Sequence, residues 1–155
     1  MEQLYTFSEV DRDPKDRTIS VAYYALINIA EHNSELNEKY SARWFKVSKM
    51  PKLIFDHDNM VAEAIKRLRY RASTKPIGFE LLTEKFTMRQ LRKLYEAIWD
   101  RELDKRNFTT KINALDILIR LNEKDKNSSK KGSFLYKFDR DKYNKKVAEG
   151  FMFKM

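Results

Sequence analysis

"FTMRQLRKLYEAIWDRELDKRNFTTKINAL", residues 86–115, decides the fold. Thr87 stands at a helix start with Gln90 three positions on, the spacing of a capping box. Phe86 before the cap and Leu91 after it are placed for a hydrophobic staple, so the spacing predicts a helix from about Met88. Leu91, Leu94, Tyr95 and Ile98 form its apolar stripe, which ends near "DREL". Asp104 can then cap a second helix. At about 100° per residue Phe108, Ile112, Leu115 and Ile119 fall on one narrow face, which is therefore expected inside. Arg106, Thr110, Asn113 and Ile117 fall opposite, flanked by Asn107 and Thr109. A helix held by Phe108 and Ile112 that offers Arg, Asn and Thr outward in its first turns has the chemistry to enter a DNA major groove.

Downstream, "LIRL" and "SFLYKF" can pair as strands around "NEKDKNSSKKG", which carries Lys124, Lys126, Lys130 and Lys131. A basic-tipped hairpin after a helix pair is a wing, and its lysines suit phosphates. The tail from Asp141 allows a short terminal helix that Gly150 limits. Upstream, Pro76 and Gly78 in "STKPIGFELL" divide the chain into residues 1–73 and 74–155. In the first part, "QLYTFSEV" and "RTISVAYYALINI" predict a hairpin around the turn-forming "DRDPKD". A polar stretch, "EHNSELNEKY", leads to a third extended run, "ARWFKV". From Asp58 the period changes, and Met60, Val61, Ala64, Ile65 and Leu68 mark an amphipathic helix ending in arginines.

The chain has 155 residues and is 42% apolar, enough for one domain or two small ones. No stretch approaches the roughly 18 apolar residues of a membrane span. The N-terminus lacks a basic, then apolar, leader pattern and there is no cysteine, so a cytoplasmic location is expected. The net charge is +9, but residues 1–72 hold 12 Lys/Arg against 11 Asp/Glu, while residues 73–155 hold 20 against 12. The excess sits in the second half, where it favours polyanions. Asp11, Asp13 and Asp16 lack the later glycine and glutamate of a calcium loop and suit a turn. His32 and His57 have no ligand spacing around them, and no glycine-rich phosphate loop occurs. No catalytic residue, metal or cofactor is expected, and Trp44 and Trp99 are expected in the core.

Three stretches, "MEQLYTFSEVDRDPKDRTISVAYYAL", "WFKVSKMPKLIFDHDNMVAEAIKRLRYR" and "PIGFELLTEKFTMRQLRKLYEAIWDRELDKRNFTTKINAL", resemble in order the Nudix-related transcriptional regulators of bacteria of the NrtR type. The resemblance implies an α+β chain: a partial Nudix-like β-sheet with a linker helix, followed by a C-terminal winged helix-turn-helix. It implies a sensor for an ADP-ribose-like or sugar effector in residues 1–73, double-stranded DNA as the partner, and homodimers in full-length relatives. The chain starts at the family's "LEQLYTF"-like strand, and no arginine-led pair of glutamates closed by glycine occurs, so the Mg²⁺ ligands of Nudix hydrolysis are not supplied. A regulator lacking the front of its Nudix domain, and dimerising weakly, is expected rather than an enzyme. The alternatives are a Nudix-type hydrolase of nucleoside diphosphate derivatives and an inert fragment. For DNA binding, Arg106, Thr110 and Asn113 are expected on base edges, and Lys105, Lys111, Lys130 and Lys131 on phosphates, with Asn107 and Thr109 beside them.

Overall fold

The computed structural model describes residues 1–27, 41–126 and 132–155. The chain forms two compact units, Met1–Arg67 and Leu68–Met155. In the first, β1 (Glu2–Phe7) pairs antiparallel with β2 (Ser20–Tyr24), Phe7 lying opposite Ser20 and Glu2 opposite Tyr24, with a bulge between Gln3 and Tyr5. This is the expected hairpin. Asp13 accepts from the Lys15 backbone N–H and the Thr18 hydroxyl, so the acidic cluster serves the turn. Arg12 in the same loop is buried, and its guanidinium donates to both Asp56 carboxylate oxygens at 2.9 and 2.8 Å and to Ser20 Oγ at 2.8 Å. These hydrogen bonds hold the Asp56 carboxyl below its ordinary range.

The third extended run is not a strand. Residues 41–46 have no regular structure and Val47–Lys49 forms a 3₁₀ turn, because no strand among the described residues offers this segment a ladder. Trp44 is accordingly 43% exposed and not in the core. "EHNSELNEKY", with His32, and the end of the second apolar run lie outside the described residues. Helix α1 (His57–Thr74) carries Met60, Val61, Ala64, Ile65 and Leu68 half-buried, as the period requires. The units divide within α1, earlier than the expected boundary after residue 73, because Leu68 and Ala72 already pack in the C-terminal core.

In the second unit, β3 (Phe86–Thr87), α2 (Met88–Trp99), α3 (Lys105–Leu115), β4 (Leu118–Asp125) and β5 (Ser133–Phe138) follow in order, and α4 (Arg140–Ala148) ends the regular structure. The three strands make one antiparallel sheet in the order β3-β5-β4. Phe79, Phe86, Leu91, Tyr95, Ile98, Phe108 and Ile112 form a single core between the sheet and the helices. Two residues depart from their helical assignments, Ile117 and Ile119. Asp116 takes a left-handed conformation, φ 52°, and ends α3, so Ile117 and Ile119 belong to the strand side. Ile117 is fully buried and Ile119 is 44% exposed, the reverse of what a continued helix predicts.

The terminal helix forms as expected, and Gly150, at φ +90°, ends it as a left-handed turn. The tail then returns to the fold. Phe153 is buried in the same core, and the Met155 N–H donates to the Ser73 carbonyl at 3.0 Å.

Candidate nucleic-acid interface

Two caps present the helix pair. The Thr87 hydroxyl accepts from the Gln90 N–H at 3.2 Å and Gln90 Oε1 accepts from the Thr87 N–H at 2.7 Å, completing the predicted capping box of α2. Asp104 accepts from the Asn107 N–H at 2.8 Å and caps α3. Between the helices, Glu96 accepts from the Leu103 N–H at 3.1 Å and from Arg92 Nη1 at 2.8 Å, while Arg92 Nη1 also donates to the Leu103 carbonyl at 2.8 Å. The Leu103 N–H first, then the Arg92 and Lys93 charges, hold the Glu96 carboxyl low. This clamp fixes the turn that aims α3, and its Arg92–Glu96 spacing of four was visible in the sequence.

Helix α3 buries Phe108 and Ile112. Lys105, Arg106, Asn107, Thr110, Lys111 and Asn113 are exposed, and Thr109 is half-buried. The structure thus places all seven expected α3 residues on one helix, with Arg106, Thr110 and Asn113 among the exposed ones. Thr109 is partly spent, because its hydroxyl donates to the Lys105 carbonyl at 2.7 Å. No ion pair among the described residues engages Lys105, Arg106 or Lys111. Lys130 and Lys131 lie outside the described residues.

The hairpin beside α3 is longer than "LIRL" suggests, since β4 runs on to Asp125 and places Lys124 in the strand. Its pairing slips between Arg120, opposite Tyr136, and Lys124, opposite Phe134. Arg120 and Lys124 therefore share a face, and both lie over the Phe134 ring, at 3.7 and 4.7 Å from its centroid. Phe134 and Tyr136 in turn line a cleft of about 570 Å³ with Lys105 and Thr109 of α3 and Met88, Arg89 and Arg92 of α2. Lys137 of β5 is paired with Glu84 at 2.6 Å, and Lys85, just before β3, with Glu123 at 2.8 Å. The first pair lowers the Glu84 carboxyl and raises the Lys137 amine. Sequence reading missed Arg120, because only a register across β4 and β5 puts it beside Phe134.

A short strand, a helix pair and a basic hairpin that closes one three-stranded sheet make a winged helix. Residues 78–138 match the family model of the NrtR DNA-binding winged helix domain. The chain is 25% identical over 146 residues to the ADPR responsive transcriptional repressor NtrR of Acinetobacter baylyi, covering 93% of this chain and 58% of that protein. It is also similar to the crystal structure of Shewanella oneidensis NrtR complexed with a 27mer DNA, at a TM-score of 0.72 and 25% identity, over 88% of this chain and 63% of that one. The crystal structure of Shewanella oneidensis NrtR gives a TM-score of 0.69 at the same identity and coverage. The chain thus spans less than two thirds of the length of each of these relatives. Residues 78–138 are thus similar to the NrtR DNA-binding winged helix domain, and the chain over most of its length is similar to part of NrtR-type proteins.

Proposed function

We propose that this chain is a sequence-specific DNA-binding transcriptional regulator in which α3 enters the major groove. The observation that carries the reading is the outward face of α3: Arg106, Thr110 and Asn113 exposed, and Lys105, Arg106 and Lys111 without an ion pair among the described residues, on a helix whose other face is locked in the core. Arg106, Thr110 and Asn113 take base edges; Lys105 and Lys111 take phosphates, with Asn107 and Thr109 at the rim. Lys130 and Lys131 extend the phosphate contacts from the wing. The similarity to an NrtR protein crystallised on a 27mer DNA supports duplex DNA as the partner.

The N-terminal unit acts as the sensor for an ADP-ribose-like or sugar effector, a reading supported by the Acinetobacter relative, which is named for its response to ADPR. The protein works in the cytoplasm and has no catalytic role; it dimerises weakly, whereas full-length relatives pair on two half-sites. No helix of the described residues is long and apolar enough to cross a membrane.

Fluorescence anisotropy on the DNA upstream of the chain's own gene, against a scrambled duplex of equal length, tests this reading. Arg106→Ala should cost about 1–3 kcal/mol on the upstream DNA and far less on the scrambled duplex. Equal losses on both would move Arg106 from the bases to the backbone.

A further inference from the structure

The two faces of the wing hairpin differ in how their charges are spent. On one face, Lys137 is satisfied by Glu84, and beside it Lys85 is satisfied by Glu123. On the other, Arg120 and Lys124 share the Phe134 ring, and among the described residues neither has an acidic partner. Two cations on one aromatic ring repel each other, and the ring's quadrupole offsets that only in part. A fold that neutralises one face and leaves like charges side by side on the other is poised for an anion there. Phe134 and Tyr136 connect this face to Lys105 and Thr109 across the cleft of about 570 Å³, so the unpaired cations run from the first turn of α3 along the hairpin to Lys124 near the end of β4.

We propose that this strip seats the phosphodiester backbone bordering the groove that α3 reads, with Lys105, Arg120 and Lys124 each meeting phosphate and Phe134 positioning the two strand cations. The inference rests on the DNA-binding reading above and adds residues to it. Position decides for backbone over bases. Arg120 stands early in β4, opposite Tyr136, rather than at the hairpin tip that would reach farthest into a groove, and Lys124 is drawn back onto the same ring. Phe134 is a positioning residue that meets no phosphate itself. It holds a guanidinium and an ammonium at a set height, which removes rotamer freedom that each long side chain would otherwise lose on binding.

The test is the salt dependence of anisotropy titrations with the whole chain, on its own upstream DNA and on a scrambled duplex. Arg120→Ala and Lys124→Ala should each lower the slope of log affinity against log salt by about 0.9 and weaken both duplexes by the same factor. Phe134→Leu should weaken both duplexes alike while its thermal midpoint and helical circular dichroism stay near those of the parent; Phe134→Tyr, which keeps the ring, should restore binding. Unchanged slopes in Arg120→Ala and Lys124→Ala overturn the proposal while leaving the DNA-binding reading intact. So does a loss confined to the upstream DNA, which would make Arg120 a base contact. A Phe134→Leu variant that binds as the parent does, or that loses affinity only in step with its folded fraction, removes the positioning role. A parent chain that binds neither duplex at low salt overturns the reading and the proposal together.

Discussion

Asp116 shows how one side chain can end a helix and tie it down. Its backbone is left-handed at φ 52°, a conformation that Asp tolerates better than most L-residues. Its carboxylate accepts from Lys142 Nζ at 2.7 Å and is paired with Lys146 Nζ at 3.3 Å, while Lys146 Nζ also donates to the Leu115 carbonyl at 3.1 Å. Helix α4 thereby covers the negative end of α3 with two ammonium groups. The Lys142 and Lys146 hydrogen bonds lower the Asp116 pKa, so its contribution to stability is present above the unfolded pKa and is lost as pH falls through the folded one. Asp116→Asn keeps a side chain that accepts the left-handed backbone but removes the charge. We expect it to be less stable than the parent at neutral pH, with the gap closing as pH drops below about 4. Urea melts across that range check this, and a gap independent of pH would place the effect in the backbone instead.

At the scale of the element, α2 starts where Thr87 and Gln90 exchange hydrogen bonds, and Thr87 is 1% exposed, so water cannot replace the hydroxyl. Thr87→Ala should cost about 1 kcal/mol of stability and Thr87→Ser should recover most of it, as thermal melts would register. A fully stable Thr87→Ala variant would mean that Phe86 and Leu91, both buried, set the helix start by themselves. Helix ends and strand ends behave differently here. Caps use partners three or four residues away, so α2 and α3 begin where their residues say they should. Strand β4 extends as far as β5 offers partners, and a slip in that ladder sets where Arg120 and Lys124 point.

Across the whole molecule, the largest core lies entirely within one unit. Ala72, Phe79, Phe86, Leu91, Tyr95, Ile98, Phe108, Ile112, Ile117 and Phe153 all fall in Leu68–Met155. Aromatic packing runs through it, with Phe79 stacked on Phe138 at 4.6 Å and Tyr95 against Phe108 at 5.7 Å. Full burial of a side chain of that size contributes about 1.5–3 kcal/mol, so removing Phe153 with the tail should be costly. A fragment of residues 68–155 should therefore unfold cooperatively and keep the helical circular dichroism of α2 and α3, whereas residues 68–149 should melt at a lower temperature. A broad, non-cooperative melt of the longer fragment would show that the core depends on residues before Leu68.

The amino-acid order alone determined the hairpin from "QLYTFSEV", the apolar face of α1, the starts of α2 and α3, and the inward placing of Phe108 and Ile112. Each of those outcomes depends on residues within a turn or two of one another, where spacing is geometry. The tertiary structure decided the rest. Trp44 reads as core and is exposed because no strand among the described residues pairs with its segment, and Ile117 exchanges places with Ile119 because Asp116 stops the helix. Phe153 joins the core by way of the Gly150 turn, and Arg120 meets Phe134 across a slipped ladder. These depend on which distant segment supplies a partner, and a free energy set by contacts between distant residues is not written in the local spacing of either one.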